Sequence, residues 1–167
     1  MNIYLPFFLL IKIELKIKKG KRENIMEKSR VEIAKQKHLN GYNCCQAVVC
    51  TYCDLLGMDE KTAFRASEGF GLGIAGMQET CGSVCGMIFL AGLKNSDGNM
   101  EQPKSKLETF KLGKKMIEAF TEMNTSVKCN ILRGTDGATD RIRSCNGCVE
   151  DCAKIVEEYL FPEEFEK

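Results

Sequence analysis

The chain has 167 residues, with 24 basic against 23 acidic side chains and a net charge of +1, so no charge excess argues for a nucleic-acid partner. Ten cysteines stand beside a single histidine and no tryptophan. A secreted disulfide scaffold is shorter and richer in loops; thiols in this number in a helical chain point to metal binding or thiol redox work in the cytoplasm, or to cysteines used as small core hydrophobes.

The first segment, "MNIYLPFFLLIKIELKIKKGKREN", carries an apolar run from Leu5 to Ile11 that Pro6 interrupts. Its lysines follow the run, whereas a secretory signal places them before it, and the run is too short to span a bilayer. Residues 1–25 are therefore expected to be a non-native extension. Residues 26–167 are expected to form one helical domain, starting at Met26 and leading straight into an amphipathic helix. No transmembrane span is expected.

From there the chain punctuates itself. Ser29 to Leu39 has helical spacing, with Val31, Ile33, Ala34 and Leu39 apolar, and stops at Asn40-Gly41. Asn43 is placed as an N-cap for "CCQAVVCTYCDLLG", which Gly57 closes. Asp59 caps a short helix, Glu60 to Ser67. "EGFGLGIAGM" must be a loop, and Thr80 reads as the N-cap of a helix over Cys81–Leu93. "KNSDGNMEQP" is polar and turn-rich. Pro103 opens a helix to about Met123, with Leu107, Phe110, Met116, Ile117 and Phe120 on its apolar side. A short segment near Cys129–Leu132, a loop "GTDGATD" and a last helix from about Gly147 to Leu160 complete the chain, which Pro162 stops. No sustained strand appears outside the N-terminal extension. The fold expected is all-α, a single-domain bundle of about six helices with a glycine-rich loop before the central Cys-Gly helix.

That loop contains Gly71-x-Gly73-x-x-Gly76, the letters of a dinucleotide fingerprint. The fingerprint works only between a strand and a helix inside a βαβ unit, and neither strand exists here. The glycines instead let the chain lie close to the following helix and its thiols, with backbone N–H groups free to donate to sulfur or a small anion. Gly73, Gly76 and Gly82 are on that account the candidate cofactor-binding glycines.

Cys81 and Cys85 lie about 40° apart on one helix face, with Gly82 and Gly86 as a parallel small stripe. Cys81 sits in the first turn of its helix, where free N–H groups favour a thiolate, and Cys44 and Cys45 occupy the same position in theirs. Adjacent residues diverge by about 100°, so one of that pair faces any shared site; Cys44 is favoured. Cys50-x-x-Cys53 lies mid-helix and reads as core. Cys145-x-x-Cys148-x-x-x-Cys152 is the densest group, and Cys129 is alone locally. His38 reads as a surface residue near a helix end, which leaves little basis for a Cys–His dyad.

"GYNCCQAV", "ETCGSVCG", "KCNILRG" and "SCNGCVEDCAKIVEEYL" in that order resemble the C_GCAxxG_C_C family, whose name implies redox activity without an established reaction. The resemblance runs from about Met26 to Leu160. It implies that the family's four cysteines are Cys44, Cys81, Cys129 and Cys145, with Cys148 or Cys152 as alternatives for the last, and that its central motif covers Cys81 to Gly86. Ser83 stands where the family has alanine, and six further cysteines are present. A related domain in split-Soret cytochromes implies an iron–sulfur centre as a candidate; without a C-x-x-C-H, covalent haem has no support.

The function expected is a cytoplasmic thiol-redox or electron-transfer protein with an unidentified redox partner. Either Cys44 or Cys81 attacks as a thiolate, with Cys129, Cys145, Cys148 and Cys85 as redox or metal partners, or Cys44, Cys81, Cys129 and Cys145 hold zinc or an iron–sulfur cluster. The competing class is a non-catalytic helical binding module with structural cysteines.

Overall fold

The computed structural model describes residues 28–138 and 140–165, so the expected N-terminal extension, residues 1–25, lies outside the described residues. Among the described residues there are seven α-helices and no strand: α1 (Val31–Leu39), α2 (Cys44–Tyr52), α3 (Glu60–Ser67), α4 (Gly82–Asn95), α5 (Lys106–Asn124), α6 (Cys129–Arg133) and α7 (Cys145–Leu160). The protein is all-α. Two 3₁₀ turns, Cys53–Leu56 and Glu68–Phe70, extend α2 and α3.

The bundle is organised around α2, all nine of whose residues are buried. Its capping box is complete. Asn43 Oδ1 accepts from the N–H groups of Cys45 and Gln46 at 3.0 and 2.9 Å, and Gln46 Oε1 accepts from Asn43 N–H at 3.0 Å. Gly57 ends the following 3₁₀ turn in the left-handed region, φ +73°. Val48 and Val49 are completely buried, each worth about 1.5–3 kcal/mol of transfer free energy.

Helix α4 packs against α2 through its glycine stripe. A Cβ at Gly86 would lie 2.9 Å from Cys45 O and 3.2 Å from Val48 Cβ, and one at Gly82 would lie 2.7 Å from Phe70 O. The stripe thus serves close backbone approach. Helix α7 runs antiparallel to α1: Glu157 Oε1 accepts Arg30 N–H at 2.6 Å, and Lys35 pairs with Glu150 at 3.9 Å. Tyr52 donates to the same Glu157 oxygen at 2.8 Å and stacks on Phe161 at a centroid distance of 6.2 Å.

Several boundaries differ from the sequence reading. Cys81, not Thr80, is the N-cap residue of α4, and Thr80 is instead bridged to Lys128. α5 begins at Lys106, leaving Pro103 in the preceding loop, which Asp97 organises by accepting from the N–H groups of Asn99 and Lys104. Leu107 and Phe110 are 65% and 63% exposed. For Leu107 the physical reason is length: Asn95, the last residue of α4, already meets Thr109 at 2.8 Å, so the first turn of α5 reaches past the helix that should cover it. Ile33 and Leu39 are likewise exposed, and Ala34 is the fully buried residue of α1. Helix α7 starts at Cys145, because Ser144 Oγ accepts from Gly147 N–H at 3.0 Å and caps it two residues earlier than expected.

Candidate functional site: a cluster of paired thiols

Three helix beginnings deliver the cysteines to one region. Cys44 opens α2 directly behind the Asn43 cap. Cys81 precedes α4 and is tied to the start of α6: its N–H donates to Val127 O at 2.8 Å, while Cys129 N–H donates to Glu79 O at 2.6 Å. These two backbone bonds set Cys81 beside Cys129. Cys145 opens α7, whose first turn is fixed by a bidentate pair from Arg143 to the buried Asp151, 2.8 Å for each bond, with Asn124 donating to the same carboxylate at 3.1 Å.

The glycine-rich loop covers this cluster. Residues Leu72 to Gly76 all have positive φ, three of them not glycine: Leu72 +50°, Ile74 +61° and Ala75 +52°. This left-handed turn costs about 1–2 kcal/mol at each non-glycine residue. It brings the Leu72 N–H to the Cys44 sulfur. Gly73 packs so tightly that a Cβ would lie 2.7 Å from Cys129 Cβ. Gly76 lies open at the outside of the turn.

The thiols are arranged in two unequal pairs. Hydrogen bonding from Cys44, reinforced by the charges of Arg133, His38 and Arg141, holds Cys145 below the usual thiol value, at about 6. Cys81 is lowered to about 7, first by hydrogen bonding from Cys148, then by the N–H groups of Ser83 and Val84 and the Ser83 hydroxyl. The donors are pushed the other way: Cys44 and Cys148 are both raised, chiefly because each holds its proton against the partner sulfur. The N–H groups of the helix start add to a shift at Cys81 that Cys148 sets first, and at Cys44 and Cys45 the helix start is outweighed, at Cys45 by burial. Burial also raises Cys129, which lies near both Cys81 and Cys145, and takes Cys85 up to about 11.

All ten cysteines are free thiols. Cys145 is half-buried, whereas Cys44, Cys81, Cys129 and Cys148 are 7%, 5%, 3% and 1% exposed. Among the described residues no three His, Cys, Asp or Glu side chains come together in an arrangement that could hold a metal ion. No preformed zinc or iron–sulfur site is shown among the described residues. Also among the described residues, no helix is long and apolar enough to cross a membrane.

Sequence reasoning missed the electrostatic setting of Cys145. His38 is half-buried, its Nδ1 is buried without a hydrogen-bond partner, and it acts on Cys145 from across the helix pair. The basic run "DRIRSC" leading to Cys145 was the readable signal for the arginines. His38 had none, because its placement depends on how α1 packs on α7.

Among known proteins, neither curated sequences nor solved structures give a match. The family described as "Putative redox-active protein (C_GCAxxG_C_C)" matches residues 42–159, a span that contains every cysteine of the chain. That span is well over half of the sequence, and the chain belongs to the C_GCAxxG_C_C family.

Proposed function

We propose that the protein is a thiol–disulfide redox protein in which Cys145 is the attacking thiolate and Cys44 the resolving thiol. One observation carries this reading: the first turn of α7 sets a half-exposed Cys145 against the buried Cys44 at the start of α2, a contact that draws the Cys145 thiol down and pushes the Cys44 thiol up. A thiolate is the nucleophile in exchange, and one titrating near ambient pH combines ionisation with reactivity.

The Cys145 thiolate attacks one sulfur of a disulfide R–S–S–R, the S–S bond breaks, and R–S⁻ leaves. Cys44 then loses its proton and attacks the Cys145 sulfur, forming a Cys44–Cys145 disulfide and releasing the second R–S⁻. Two electrons pass from the protein dithiol to the substrate, and the proton shed by Cys44 ends on a released thiolate or in water. Cys81 and Cys148 are a second dithiol of the same kind, more deeply buried and next to the first, and can undergo the same exchange internally.

The test is brief exposure of reduced protein to one equivalent of a disulfide, trapping of remaining thiols by alkylation, and peptide mapping without reductant. A linked Cys44–Cys145 peptide pair that disappears in Cys145→Ser is expected. If all thiols remain alkylatable after oxidation, the cysteines are structural and the protein is a helical binding module.

A further inference from the structure

Three segments place nitrogen-bearing side chains around Cys145. Arg133 ends α6. Gly134 follows in the left-handed region, φ +67°, where a Cβ would lie 2.5 Å from Arg141 N. The N–H groups of Ile142 and Arg143 both donate to Leu132 O, at 3.1 and 3.0 Å. The loop therefore folds back on itself, so that Arg133 and Arg141 lie close together immediately ahead of Ser144 and Cys145. From the other side, the antiparallel register of α1 on α7, Arg30 with Glu157 and Lys35 with Glu150, carries His38 opposite the first turn of α7. The side chains of His38 and Asn146 each leave a buried polar atom, Nδ1 and Oδ1, without a hydrogen-bond partner.

The carboxylates of α7 nearest this rim are already committed. Asp151 and Glu150 take Arg143, and Glu150 also takes Lys35 and Lys154. Among the described residues no ion pair joins Arg133 or Arg141 to a carboxylate; Arg133 donates to the Cys129 sulfur, and Asp136 and Asp140 share the loop. Two guanidinium groups outside the ion pairs of α7 and next to a thiol that must meet a substrate form a recognition element, because arginine holds carboxylates through its planar fork.

We infer that Arg133 and Arg141, with His38 facing them, select small disulfides that carry carboxylates, and hold the anionic group while Cys145 attacks the S–S bond. This inference rests on the thiol-exchange reading and names its substrate class. The bonds made and broken are those given above; the guanidinium groups attract the substrate and steady the thiolate that leaves, without exchanging protons.

The test compares three disulfide probes at low salt: dianionic dithiobis(nitrobenzoate), neutral dipyridyl disulfide and dicationic cystamine. Each rate constant at Cys145 is divided by that of free cysteine with the same probe at the same pH, which removes the intrinsic reactivity of the reagent. The normalised order expected is anionic, then neutral, then cationic, with the anionic-to-neutral ratio falling about tenfold in the double variant Arg133→Gln/Arg141→Gln, and falling similarly in 1 M salt. Using a ratio separates recognition from any change in thiolate population, which affects all three probes alike. Equal normalised rates, or an unchanged ratio in the double variant, overturn the inference while leaving the exchange chemistry standing. Failure of Cys145 to react with any of the three overturns both.

Discussion

Cys44 and Cys145, about a hundred residues apart in sequence, shift each other's titration in opposite directions, Cys145 down and Cys44 up. The relationship predicts a pH profile. Alkylation of Cys145 by iodoacetamide should rise with pH about a midpoint near 6, against roughly 8.5 for an unperturbed thiol. Cys44→Ala removes the largest stabilising influence on the thiolate, so the midpoint should move up toward the unperturbed value while the arginines keep it somewhat below. Quantifying the Cys145 peptide by mass spectrometry across pH 4–10 checks both; a wild-type midpoint at 8 or above would sink the pairing.

The same shifts predict how stability follows pH under reducing conditions. Cys81 and Cys145 are depressed in the folded state, so their contribution is complete above the unfolded thiol value and is lost as pH falls through about 7 and 6. Cys44, Cys45, Cys50, Cys53, Cys85, Cys129, Cys148 and Cys152 are raised, so theirs is complete below the unfolded value and is lost as pH climbs toward about 11 for Cys85 and about 12 for Cys50. Urea midpoints should therefore be highest near pH 8 and fall on both sides, more steeply on the alkaline side, where more thiols are involved. A midpoint that keeps rising from pH 8 to 10 contradicts this.

Three exchanges involving glycine separate backbone strain, helix propensity and close packing. Ala75 is exposed in the left-handed turn at φ +52°, so Ala75→Gly relieves strain that outweighs the added chain entropy and should gain about 0.5–1 kcal/mol. Gly92 lies in α4 with open space around it, so Gly92→Ala should gain about the same by helix propensity alone. Gly73→Ala, by contrast, meets Cys129 Cβ and the backbone of Gln78 and Glu79 at 2.7 Å and should destabilise severely. Denaturant unfolding of the three variants separates these cases; a loss of stability in Ala75→Gly would falsify the strain argument.

Asp151 is 3% exposed and receives three hydrogen bonds, two of them from Arg143. Asp151→Asn should cost about 2 kcal/mol, since bonds involving charged groups are worth about 1.5–3 kcal/mol and Arg143 is partly solvated. Because this pair holds the turn that presents Cys145, the alkylation midpoint of Cys145 should also shift. Calorimetry with the same peptide assay tests both; unchanged reactivity despite lost stability would confine Asp151 to a structural role.

What could be read from the chain follows from how local each feature is. The caps at Asn43 and Asp59 and the stop at Gly57 are decided within a few residues and are legible in sequence. The start of α7 was misplaced because Gly147 looks like a boundary, whereas the Ser144 hydroxyl satisfies its N–H and lets the helix begin at Cys145. The exposure of Leu107 depends on where α4 happens to end, a fact stored far from α5. At the site, the helix-start argument covers the smaller part of the shift at Cys81 and is outweighed at Cys44, because in both pairs a thiol answers to its partner before its own helix. Which sulfurs pair, and the approach of His38 to Cys145, emerge only from the packing of α1 on α7 and of loop on helix.

The donor that Leu72 offers to Cys44 belongs to the main chain. No exchange of the side chain at that position deletes it, short of proline, whose fixed negative φ also forbids the observed +50°. What evolution must keep here is a path in space rather than a residue identity. Sequences that differ at 72 can preserve the sulfur's surroundings, while a change at the neighbouring Gly73 that merely shifts the path erases them.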